Sequence, residues 1–224
     1  MSTAVDQPVL PEEALAWEAD HRRSSGIFAV SAALLTLIGS IVFSLVTADT
    51  PRVLAVTAFQ DAVGERPAGS VGLKTAPLLF TNDHAVQLIL VAIVLAAGSC
   101  LMAPALAYVY RAAAARTPRL PRLALFAALI GPIAVGVATL VLQIVVVVKA
   151  GDFASSADHS TAAAHDAVSG PFVVGTTLLR ALGVLIVALA YILISLNAMR
   201  VGLLSRFMGI IGILAGVQVA GSVD

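Results

Sequence analysis

Charge is scarce in this chain. Of 224 residues, 13 are Lys or Arg and 13 are Asp or Glu, together 12%, where a soluble domain carries roughly 25%. So little charge does not dress a water-facing surface. The two signs cancel, so no net field draws a polyanion, and no nucleic-acid partner is expected. Cys100 is the only cysteine, which excludes an internal disulfide and any multi-cysteine metal site. Aromatic residues are 5% of the chain. No Walker loop, no dinucleotide fingerprint and no HExxH pair is present. No carboxylate falls within an apolar run, so the paired acids of a proton relay are missing. No serine or cysteine nucleophile is placed with the loop histidines in an obvious arrangement. No internal repeat of the kind found in many carriers stands out. No catalytic residue is assigned, and no cofactor is expected.

What fills the chain instead is apolar. Hydrophobic residues make up 59%, and the mean hydropathy is +0.99. Four runs, 27–47, 85–110, 123–148 and 172–196, each match the roughly 20 apolar residues that cross a hydrocarbon core. A fifth run, 207–220, is weaker: 14 residues make about 21 Å of helix. Starting it at Val201 would lengthen it, provided Arg206 snorkels to the interface. The expected fold is all-α, a polytopic transmembrane helix bundle of about five spans. The first run is 21 residues long and follows a start containing Asp6, Glu12, Glu13, Glu18 and Asp20. A signal-peptide core is shorter and follows a basic start, so a retained helix is expected despite the Val46-Thr47-Ala48 sequence.

Basic residues alternate along the chain. Arg22 and Arg23 precede the first run; Arg111, Arg116, Arg119 and Arg122 lie between the second and third; Arg200 and Arg206 follow the fourth. Cytoplasmic flanks carry the Lys/Arg excess, so the N-terminus is expected in the cytoplasm. Residues 1–26 then form a cytoplasmic segment, with a short interfacial helix that begins at Pro11-Glu12-Glu13 and is anchored by Trp17. Residues 27–221 form the bundle, with extracytoplasmic loops at 48–84 and 149–171. Within the first loop, 53–63 suits an amphipathic helix at the interface, ended by Gly64, Pro67, Gly69 and Gly72.

Arg180 is the polar residue that carries most information. It lies inside the fourth run, and ionisable residues within spans are functional candidates. Gln143, Gln87, Thr176, Asp83 and His84 occupy the same outer portion of the bundle. Together they outline a possible polar pocket for an anionic headgroup or a small anion. The plainer alternative has Arg180 snorkelling outward. Asp158, His159, His165 and Asp166 pair carboxylates with imidazoles, a donor set suited to divalent metals. Without a ligand-spacing motif they read better as a solvated loop. Pro104 and Pro132 should bend their helices, and Gly131 with Gly136 should loosen the third span. Gly212, Gly216 and Ala220, like Ala92, Ala96 and Cys100, recur every fourth residue and suit close helix contacts. Asn197 is placed to cap the end of the fourth span.

The stretch Asn197-Ala198-Met199-Arg200-Val201-Gly202-Leu203-Leu204-Ser205-Arg206-Phe207-Met208-Gly209 resembles an element of uncharacterised actinobacterial multi-pass membrane proteins. There it joins two transmembrane helices on the cytoplasmic side. The resemblance implies a bacterial plasma-membrane location and relatives that continue further. It carries no activity. A structural or accessory role therefore ranks first. An anion, small-solute or lipid transporter built on Arg180 ranks second, and a membrane-embedded lipid-modifying enzyme third. The expected partners are membrane lipids, and other membrane proteins or a second copy through small-residue faces.

Overall fold

A computed structural model describes residues 12–51, 74–116 and 121–220. The expected amphipathic segment 53–63, its terminating glycines and Arg119 lie outside these residues. The described chain is helical, with no strand. Its elements are α1 (Glu12–Thr47), α2 (Thr75–Asp83), α3 (Ala85–Arg116), α4 (Arg122–Ser155), α5 (Thr161–Val168), α6 (Pro171–Arg200) and α7 (Arg206–Ala220).

Four of them, α1, α3, α4 and α6, are long and apolar enough to cross a membrane. This is the architecture of a multi-pass membrane protein. The count is four where about five were expected. The shortfall is α7, whose 15 residues make about 22 Å of helix. Its start cannot move back to Val201, because 201–205 form the turn that separates it from α6. Gly202, at φ 72°, occupies the left-handed region. Leu203 N–H donates to the Ala198 carbonyl at 2.9 Å and Gly202 N–H to that of Met199 at 3.2 Å, the bond pair of a Schellman motif. Ser205 then starts α7, its Oγ accepting from Met208 N–H at 3.2 Å. The expected cap, Asn197, is instead buried within α6 and donates from Nδ2 to the Leu193 carbonyl at 2.8 Å.

The chain divides into two compact units, and each long helix contributes a segment to both. In the unit formed by 12–34, 98–135 and 181–220, the core is alanine-rich. Ala113, Ala124, Ala128 and Ala190 are fully buried beside Leu106, Tyr110 and Ile194. Small side chains let the helix backbones approach closely. A Cβ added at Gly131 would lie 3.1 Å from the Val187 backbone nitrogen, and one at Gly183 would lie 3.2 Å from that of Val135. These two contacts set an antiparallel register between α4 and α6. Gly131 is thus a contact point between α4 and α6. Ser99 Oγ donates to the Pro132 carbonyl at 2.7 Å, tying α3 to α4. Helices α3 and α4 continue through Pro104 and Pro132.

In the other unit, 35–51, 74–97 and 136–180, Leu78, Ala150, Phe153 and Ala164 make a second small core. It joins α2, the last turns of α4 and α5. Ser160 caps α5, its Oγ accepting from Ala163 N–H at 3.2 Å. Part of the 149–171 segment is therefore packed structure. On α1, Gly39 sits against the Leu95 side chain of α3.

Candidate functional site

Helix α6 turns its polar side chains back on itself. Thr176 Oγ1 donates to the Phe172 carbonyl at 2.8 Å, and Thr177 Oγ1 to that of Val173 at 2.9 Å. Thr176 is buried and borders an apolar groove of about 340 Å³ between α4 and α6, with Val137, Val141, Phe172 and Leu179 among its walls. Arg180 lies one turn further along, about 40° around the helix from Thr176. Its side chain is exposed. Helical side chains lean toward the N-terminal end of their helix, here the Pro171 end.

The remaining members of the expected pocket are dispersed. Gln143 is half-buried on α4, Gln87 is exposed on α3, and Asp83 is exposed at the end of α2. His84 separates α2 from α3; its ring stacks on Phe80 at 4.1 Å, and Nδ1 lies 3.0 Å from the Phe80 carbonyl. Among the described residues, no hydrogen bond or ion pair joins any two of Arg180, Gln143, Gln87, Thr176, Asp83 and His84. Of the six, only Thr176 borders the groove.

The acid and imidazole groups near α5 serve the local chain. Asp158 accepts from Ser160 N–H at 2.8 Å, and this bond holds its carboxyl below the usual carboxylate range. The turn so formed delivers Ser160 to its capping position. His159 lays its ring edge-on to Phe153 at 5.2 Å, and its carbonyl accepts from Thr75 Oγ1 at 3.5 Å. The His165 ring lies 3.1 Å from Ser169 Oγ and 3.8 Å from Asp166. Among the described residues, no three such groups converge as metal ligands.

The densest polar cluster was not anticipated from sequence. It joins the start of α1 to the end of α3. Glu18 and Arg116 form a two-pronged ion pair, with Nη2 to Oε2 at 2.9 Å and the second prong between Nη1 and Oε1. Their side chains are only 15% and 20% exposed. Arg116 also donates to the Ala112 carbonyl at 2.8 Å, which aims the guanidinium. Trp17 stacks on His21 at 4.7 Å and on Tyr108 at 5.6 Å, and Arg111 lies 5.6 Å over the indole. A tryptophan, a tyrosine and arginines at a span end are the make-up of an interfacial belt. The pairing of Trp17 with Tyr108 across about 90 positions carries no sequence signal.

No family model, curated protein or solved structure matches the chain.

Proposed function

We propose that this protein is a structural or accessory component of a bacterial plasma membrane. The observation that carries this reading is how its span polar groups are used. Ser99, Thr176, Thr177 and Asn197 all donate to helix carbonyls, and Tyr191 donates to the Met102 sulfur at 3.1 Å. A carrier spends such groups on its cargo at the midplane; here they join or seal helices. The second supporting feature is α1. Only 11% of its apolar stretch is buried, against 28% for α3 and 33% each for α4 and α6. Ile38, Ile41 and Leu45 stand exposed on it, a surface suited to lipid, another membrane protein or a second copy.

The proposed threading has a cytoplasmic N-terminus and five spans, with α7 as the fifth. The arginine distribution supports the orientation, and the Asn197 to Gly209 element, with its actinobacterial resemblance, supports the bacterial setting. Gly212 packs against Ser195 of α6, which supports α7 as part of the bundle. The competing reading is an anion or lipid transporter, or a lipid-modifying enzyme, working through Arg180. It draws on one observation, an exposed guanidinium inside an apolar helix beside a groove.

A photo-crosslinking residue at Ile41, compared with one at Ile144, separates the two readings when combined with anion and lipid flux in proteoliposomes. The accessory reading predicts a discrete adduct from Ile41 and flux that is the same for wild type and Arg180→Leu. Flux that depends on Arg180, with no adduct from either position, would reverse the order.

A further inference from the structure

Independently of that role, we propose that α1 carries a binding site for an anionic glycerophospholipid where its charged turns meet its apolar stretch. One open face of α1 lies at this junction, and it presents Arg22, Arg23, Gly26, Ile27, Val30 and Ser31. These positions fall on two adjacent helical stripes. Arg22 heads the stripe that continues through Gly26 and Val30, and Arg23 heads the one that continues through Ile27 and Ser31. Residues four apart lie one above the other on a helix. The face therefore changes from cationic to apolar over eight residues, about 12 Å of helix. A phospholipid changes from phosphate to hydrocarbon in the same order.

Two further observations support this occupant. Gly26 makes a dip in the helix surface: a Cβ added there would meet nothing within 4 Å. A chain can lie against α1 at that point, with Ile27 and Val30 beside it, both of them exposed. The second observation concerns charge. Glu18 is one turn before Arg22 and would be its natural intrahelical partner. It is instead held in the two-pronged pair with Arg116. The Glu18 charge is thus directed to α3, while Arg22 and Arg23 stay exposed. Trp17 and Tyr108, stacked one turn beyond, mark the headgroup level. The arginine side chains lean toward that level, because helical side chains point to the N-terminal end. A free phosphate would engage the arginines alone. Only a lipid uses both the arginines and the apolar dip.

The test is native mass spectrometry of the full chain, titrated with phosphatidylglycerol and with phosphatidylcholine, with inorganic phosphate as competitor. The proposal predicts tighter binding of phosphatidylglycerol, by about fivefold for each arginine engaged. The double variant R22Q/R23Q should bring its affinity down to that of phosphatidylcholine. G26L keeps both charges, fills the dip and improves helix propensity, so it should fold and still lose phosphatidylglycerol several-fold. K149Q, which removes an exposed cation from α4 and leaves α1 untouched, should bind as wild type does. Unchanged phosphatidylglycerol affinity in G26L would overturn the proposal, even if the double variant failed to fold. Displacement of the lipid by millimolar phosphate would overturn it in favour of a simple anion site. A dimer lost in G26L with lipid binding intact would assign the face to a second copy.

Discussion

Glu18 and Arg116 show what a single pair contributes to this molecule. They are 98 positions apart, and both are half-buried near the ends of different helices. A half-buried arginine is stabilised by a counter-charge, and removing that partner leaves part of its desolvation cost uncompensated. Glu18→Gln should therefore destabilise the protein by about 1–3 kcal/mol, seen as a lower melting temperature in detergent. It should also expose the start of α1 to protease, whereas Asp20→Asn, at an exposed position, should do neither. Equal behaviour of the two variants would remove the pair from the account. Neither residue was legible as a partner. Glu18 read as one acid among several near the N-terminus, and Arg116 as one of four loop arginines. Arg180 was legible as unusual, since a charge inside an apolar run stands out. Its exposed setting, and the absence of any described bond from it to Gln87, Gln143 or Asp83, depended on how the helices are rotated. Hydropathy carries little information about rotation when nearly every side chain in a span is apolar.

The helices themselves were the legible part, though their ends were not. Runs of apolar residues marked where α1, α3, α4 and α6 lie, but the helices extend past them. The helix expected to begin at Pro11-Glu12-Glu13 runs unbroken into the first span as α1, and α4 continues to Ser155. Helical hydrogen bonding persists into the interface, where charged residues are tolerated, so hydropathy alone understates helix length. The packing elements were partly misread. Repeats of small residues drew attention to the second and last runs, where Ala92 and Ala96 are buried and Gly212 faces Ser195, but the close approach of α4 to α6 uses two glycines outside those repeats, Gly131 and Gly183. Each reaches a backbone nitrogen of the facing helix. Gly131→Leu should force α4 from α6 and cost about 1–3 kcal/mol. Gly175→Leu, at a position with open space around it, should cost far less; thermal unfolding of the two variants decides the point. Gly202 ends α6 in the left-handed region, which any other residue enters at about 1–2 kcal/mol. Gly202→Ala should lower stability by that amount. Gly26→Ala, at an open position in a helix, should be neutral or stabilising.

At the scale of the whole molecule, four long apolar helices and a short seventh helix account for most of the described chain. A bundle of this kind holds itself together by close backbone packing and by polar groups that serve helix carbonyls. Its proposed role as a membrane component draws on the same features, because Ser99, Thr176, Thr177, Tyr191 and Asn197 are engaged in structure, with Arg180 left as the exposed exception. The proposed orientation rests on arginines that cluster at one set of helix ends. The most direct measurement is cysteine accessibility in intact cells, starting from Cys100→Ala so that each variant carries one thiol. A membrane-impermeant maleimide should label Ser169→Cys from outside and leave Ser205→Cys unlabelled until the cells are lysed. Ser222→Cys should be labelled from outside if α7 is the fifth span. Labelling of Ser205→Cys in intact cells with Ser169→Cys protected would invert the threading, and equal labelling of both before lysis would contradict a membrane-spanning α6.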